Sequence, residues 1–132
     1  MIENPILENK PADTQLMTQK RLVILRTMWL DGPNIWTYRS CIEALVDIQE
    51  LEQFPSNLLP GFYERLTALL PGLVDHRCGI GEPGGFLMRV RDGTYAAHII
   101  EHIVIELHIL SDLDAGFGKA RETSTSGVYK MV

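Results

Sequence analysis

Apolar residues recur at helical spacing most persistently between Gly93 and Leu110. At about 100° per residue, Ile99, Leu110, Ile103, Leu107, Ile100 and Val104 fill one continuous arc, and His98, His102, Glu106, Glu101 and His108 fill the other. The pattern predicts a helix with an apolar face for the core and a polar face carrying three of the four histidines. Ile105 and Ile109 interrupt the polar arc, which marks that side as the floor of a pocket rather than a solvated surface. Asp92 or Thr94 stands where a helix-capping side chain is expected.

The other elements follow from shorter patterns. Arg21 to Leu30 is rich in branched and apolar residues and stops at Asp31-Gly32-Pro33-Asn34, a turn signal; it is read as a buried strand. Thr37 to Gln49 mixes alternation with helix formers and is read as a second strand ending near Ile48. A helix runs from about Pro60 to Leu70, with Phe62, Leu66, Leu69 and Leu70 as its core stripe and Pro71-Gly72 as its stop. Leu73 to Asp92 reads as loop, Phe117 to Ser126 as polar loop, and Gly127 to Val132 as a third strand. Trp29 and Trp36, flanking the turn, read as packing residues. The order β-β-α-α-β predicts an α+β, two-layer sandwich, a mixed sheet with two main helices on one face. Residues 1–20 hold Pro5 and Pro11 and no sustained period, so they read as an extension ahead of a single domain over 21–132.

Composition narrows the function. The 132 residues are 45% hydrophobic and 22% charged, values of an ordinary globular domain. A net charge of -5 without a Lys or Arg cluster excludes nucleic acid as the expected partner. No apolar run approaches the roughly 20 residues needed to cross a bilayer, and no signal-peptide layout opens the chain. Two isolated cysteines, Cys41 and Cys78, suggest a reducing compartment, so a cytoplasmic protein without a membrane partner is expected.

The chemistry sits on the long helix. His98-Ile99-Ile100-Glu101-His102 is an H-x-x-E-H motif, the inverse of the H-E-x-x-H zinc-hydrolase helix. Imidazoles four residues apart lie about 6 Å apart along the axis and can share one metal ion. Glu101 sits beside them, placed to take the proton of an attacking water as general base. Catalytic zinc usually keeps three protein ligands, and Glu106, four residues past His102 on the same arc, is the leading third; His76, Cys78, Glu64 and Glu122 compete for that role. Gly79-Ile80-Gly81-Glu82-Pro83-Gly84 spells G-x-G-x-x-G, but neither a preceding strand nor a directly following helix is expected, so it is not read as a nucleotide loop. Arg89, Arg91 and Arg121 are candidates for holding an anionic group, and Ser124 lies in a hydroxyl-rich stretch that suits a polymer or simple turns.

Several ordered blocks then resemble a known family: Asp31-Gly32-Pro33-Asn34-Ile35-Trp36, Pro55-Ser56-Asn57 with Pro60-Gly61-Phe62-Tyr63-Glu64, Gly84-Gly85-Phe86-Leu87, Gly93-Thr94-Tyr95, the His98 to Glu106 helix, and Phe117 to Thr125. Together they look like the amino-terminal domain of the cyanophycin synthetases, over roughly Leu22 to Val132. That family polymerises aspartate and arginine into a poly-aspartate backbone with arginine on its side chains, using ATP-grasp and Mur-ligase-like modules. Neither module is present in these residues, so no nucleotide and no ligase activity are expected here. The resemblance implies a domain that binds the polymer and, with the metal helix retained as His98, Glu101, His102 and Glu106, cleaves it internally into primers. The expected cofactor is Zn2+ or another divalent metal. The expected partners are cyanophycin and the remaining synthetase domains, with homo-oligomer formation left open. A non-catalytic polymer-binding or scaffolding domain is the alternative, and an unrelated amidase on the same metal helix a third reading.

Overall fold

The computed structural model describes residues 22–114 and 117–132; the extension expected over residues 1–20 lies outside them. Four strands, β1 (Val23–Leu30), β2 (Cys41–Asp47), β3 (Ala120–Glu122) and β4 (Val128–Met131), form one sheet in the order β1-β2-β4-β3. Three helices stand between β2 and β3 in sequence: α1 (Phe62–Leu69), α2 (Gly85–Asp92) and α3 (Ala96–Leu110). The fold is α+β, as the pattern predicts. Every pairing is antiparallel, so the expected mixed sheet is corrected. The cause is connectivity: both hairpins reverse the chain directly, and β4 returns antiparallel to β2 after the helices.

β1 and β2 are joined through the predicted Asp31-Gly32-Pro33-Asn34 turn, where Asn34 Oδ1 accepts the backbone N–H groups of Trp36 and Thr37 at 2.9 and 3.0 Å. β1 is a strand as read, but it is not buried: seven of its eight residues are exposed, Trp29 among them. An apolar run implies cover on both faces only for a central strand, and β1 is at the edge. Trp36 does pack. Its Nε1 donates to the buried Glu43 carboxylate at 2.8 Å, and the Arg121 guanidinium lies 4.6 Å from its ring centroid.

Two apolar clusters flank α3. One joins Leu66 of α1, Leu73, then Phe86, Leu87 and Val90 of α2, to Ile99 of α3. The other joins Val46 and Ile48, with Met131 of β4, to Ala97 of α3. α3 is thus wedged between helices and sheet, with Ile99, Ile100 and Ile103 of its apolar arc packed against the clusters and its polar arc, His108 apart, not freely solvated, as expected; only the far end of the apolar arc departs from the expectation. Val104, Leu107 and Leu110 on the apolar arc are exposed, whereas His102 and Glu106 on the polar arc are buried. Buried polar groups persist only when they hydrogen-bond, and both of these bond His76.

The segment read as loop over Leu73 to Asp92 contains a 3-10 turn (Pro71–Asp75) and α2. Four glycines hid the helix, whose apolar residues are only Phe86, Leu87, Met88 and Val90. α2 begins directly after Gly84, so a helix does follow the G-x-G-x-x-G stretch; the element before it is the 3-10 turn, not a strand, and the nucleotide reading still fails. Gly85 is needed there because a Cβ would strike the Cys78 carbonyl. This close contact holds the Cys78 loop against α2. In α1, Leu66 is buried as expected, but Leu69 is exposed. The stretch Phe117 to Ser126 is not all loop, since Ala120–Glu122 pairs with β4.

Candidate metal centre

Side chains from α3 and from the segment leading into α2 meet at one place. Stacked on consecutive turns, the His98 and His102 rings have centroids 4.8 Å apart and stand at 84° to one another. Cys78 Sγ lies 3.0 Å from His98 Nε2. Ligand atoms of Cys78, His98 and His102 all fall within 4.8 Å of one another, the one such group of three among the described residues. Phe86 closes the back, its ring stacked at 4.0 Å on His102 and edge-on to His98.

The remaining polar atoms are held in chains. Thr94 Oγ1 lies 2.8 Å from His98 Nδ1, so Thr94 fixes the histidine instead of capping the helix; neither Thr94 nor Asp92 gives α3 a side-chain cap. His76 bridges the other side, with Nδ1 2.8 Å from His102 Nδ1 and Nε2 2.8 Å from Glu106 Oε2. Glu106 therefore reaches the site through His76 and is not among the three residues whose ligand atoms converge. Cys78 is the third residue of the converging group.

Electrostatics favour neutral imidazoles. Burial, then the nearby His98 and His76, push His102 down to about 4. Burial and the Arg89 guanidinium lower His98. A metal needs the deprotonated ring, and both rings hold it at neutral pH. Burial pushes the Glu101 carboxyl up, opposed by the Ala120 backbone N–H and by Lys119. A raised carboxyl is what a general base working near neutral pH requires.

These shifts predict acid lability. The folded His102 titrates at about 4 against 6.5 for the free side chain, so as pH falls the unfolded chain takes up its proton first. The contribution of His102 to the stability of the metal-free domain is then at its full value above about 6.5, declines as pH falls towards about 4, and levels below. Urea unfolding in chelator at pH 7.5 and pH 5 should show a smaller loss of stability at pH 5 in His102→Phe than in the unaltered domain; an equal loss in both would contradict the neutral, buried state of His102.

The other candidates are spread around this centre. Arg89 is exposed but close enough to act on His98 electrostatically. Arg91 stacks 4.5 Å from the Tyr63 ring centroid and lines a cavity of about 350 Å3 with Ser56, Asn57, Tyr63 and Glu64. Its lining residue Ser56 is linked to the centre through Thr94, whose backbone N–H donates to Ser56 Oγ at 2.9 Å. Arg121 and Ser124 lie on the β3–β4 hairpin, and Glu122 lines a separate cavity of about 170 Å3. His108 is exposed, as expected. Helix periodicity could not reveal the bridge made by His76. The available signal was the pair His76 and Cys78, two residues apart, beside a glycine-rich stretch.

Residues 43–132 match the cyanophycin synthase-like N-terminal domain. The chain belongs to that family. Over 111 residues this cyanophycin synthase-like N-terminal domain is 51% identical to the cyanophycin synthetase of Synechocystis sp. and 50% identical to that of Geminocystis herdmanii. It is 48% identical to that of Crocosphaera subtropica. Each match covers 83% of this chain and 13% of the relative, so the chain spans about an eighth of the length of those synthetases. No helix of the described residues is long and apolar enough to cross a membrane. The matched residues contain the whole centre, from His76 to Glu106.

Proposed function

We propose that this domain binds one zinc ion through Cys78, His98 and His102 and hydrolyses cyanophycin at internal amide bonds, leaving shorter chains that prime synthesis by the other synthetase modules. The observation that carries it is the convergence of those three ligand atoms within 4.8 Å, two of them on the helix that also bears Glu101. One thiol and two imidazoles form a donor set suited to zinc, and three protein ligands leave a tetrahedral site one open position. When bound, the ion would polarise the scissile carbonyl and acidify water.

The protein's own groups do the rest. Glu101 takes the proton of the attacking water and returns it to the leaving amine. Phe86 excludes solvent behind His102. Arg89, which acts on His98, and Arg91, which lines the cavity of about 350 Å3, hold carboxylates of the polymer; an acidic domain also suits arginine-bearing chains.

One observation favours a second reading. The Ala120 backbone N–H and Lys119 both act on the Glu101 carboxyl, a placement of α3 against β3 that a non-catalytic polymer-binding domain would also need. Purified domain incubated with cyanophycin separates the two. Shortening of the chains, loss of that activity in chelator and its return with zinc are expected; polymer binding without cleavage, or cleavage indifferent to chelator, removes the metal mechanism.

A further inference from the structure

The carboxylate that helical spacing offers as a third ligand has a role that its position on the polar arc did not reveal. Glu106 is buried, its side chain 5% exposed, and its Oε2 lies 2.8 Å from Nε2 of an equally buried His76. His76 in turn places Nδ1 2.8 Å from Nδ1 of His102. Gly72 closes over the other side of the carboxylate, where a Cβ would overlap Oε1. No buried side-chain nitrogen or oxygen among the described residues lacks a partner.

We propose that Glu106 and His76 form a positioning relay that locks His102 in one tautomer and so presents its Nε2 to the centre. The polarity of the chain follows from what each group can do. A carboxylate only accepts, so the contact at Glu106 makes His76 Nε2 the donor. In the proposed relay His76 is neutral and has one N–H, which leaves its Nδ1 an acceptor. His102 Nδ1 must then carry its own proton, and its Nε2 keeps the lone pair. Thr94 stands at His98 Nδ1 in the corresponding place, with His98 Nε2 turned to Cys78 Sγ. Both histidines thus offer Nε2 inward with Nδ1 held from outside, as metal-ligating histidines do. Glu106 and His76 are positioning residues and touch neither the ion nor the substrate.

The tautomer itself can be read without any metal, which keeps the relay separable from the zinc reading on which its consequence rests. Long-range 1H–15N correlation spectra of the chelated domain above pH 7.5 should show His102 protonated on Nδ1 and His76 on Nε2. In Glu106→Ala the His76 and His102 signals should become tautomer mixtures. His102 protonated on Nε2 in the unaltered domain overturns the proposal, as does a Glu106→Ala spectrum unchanged at both rings.

Zinc affinity, measured by competition with a chromophoric chelator, supplies the second readout. His76→Phe keeps the ring volume and removes the relay, and His76→Gln keeps one acceptor and one donor. His76→Phe and Glu106→Ala should each weaken zinc binding by about 10–100-fold. The double variant should lose no more than either single one, since both act through one chain. His76→Gln should recover part of the loss. A role confined to filling space predicts the reverse order, with His76→Phe retaining affinity and His76→Gln losing it, and that order would overturn the relay. A domain that shows the expected tautomers and binds no zinc supports the relay and eliminates the proposed metal hydrolysis.

Discussion

Glu101→Gln is expected to bind zinc as the unaltered domain does and to cleave cyanophycin about 100- to 10,000-fold more slowly, the range that a positioned general base contributes. The substitution is nearly isosteric. It keeps an oxygen facing the Ala120 backbone N–H, whose influence lowers the carboxyl's pKa, so the packing of α3 against β3 survives. What it removes is the basic carboxylate, whose proton affinity burial has raised. Chain-length analysis of the polymer, with zinc content measured on the same sample, reads both halves of the expectation. Undiminished cleavage would dismiss Glu101 as the base. Loss of zinc together with activity would show that the substitution had disturbed the centre, and would assign Glu101 a structural part.

The second large effect concerns the third ligand. Cys78→Ser should reduce zinc affinity more than Glu106→Ala does. Apparent zinc-binding free energies of about 10–16 kcal/mol, shared among three or four ligands, put each at roughly 3–5 kcal/mol, a hundredfold or more in affinity. A residue acting through a histidine is worth only about 10–100-fold. Cys78 has its Sγ 3.0 Å from His98 Nε2 and belongs to the converging group, whereas Glu106 contacts His76. Serine preserves size but offers a poorly acidic hydroxyl in place of a thiolate. If Glu106→Ala proves the more damaging of the two, Glu106 is a direct ligand and the centre rearranges on metal binding to bring it in. Affinities from chelator competition on the two variants decide the order.

Much of the centre was legible because it is local. His98, Glu101 and His102 lie within five residues of one helix, and helical spacing alone sets the two imidazoles on adjacent turns. The α+β class was equally legible, since the Asp31-Gly32-Pro33-Asn34 turn separates the two strand-like segments and Pro71-Gly72 ends the first helix. α2 was not, because its glycine-rich start and two arginines mask an eight-residue helix whose buried side chains are Phe86, Leu87 and Val90. β3 was missed for a similar reason: three residues, Ala120 to Glu122, become a strand only through pairing with β4.

The sequence by itself determined the helix that carries the H-x-x-E-H motif, the family, and the pair of histidines on one face, all of them legible from order and spacing along the chain. Only the tertiary structure decided which way that helix faces. Ile99, Ile100 and Ile103 of the apolar arc do pack in the two clusters, but Val104, Leu107 and Leu110 stay exposed, and the polar arc is turned inward against His76, Cys78 and Phe86. It also decided the partners. Cys78 is 20 residues from His98, and His76 is 26 from His102 and 30 from Glu106. Contacts across such separations depend on where α2 and the Pro71–Asp75 turn pack, not on any periodicity. A carboxylate on the right arc of a helix looks like a ligand until another side chain is found between it and the site, and at Glu106 that side chain is His76.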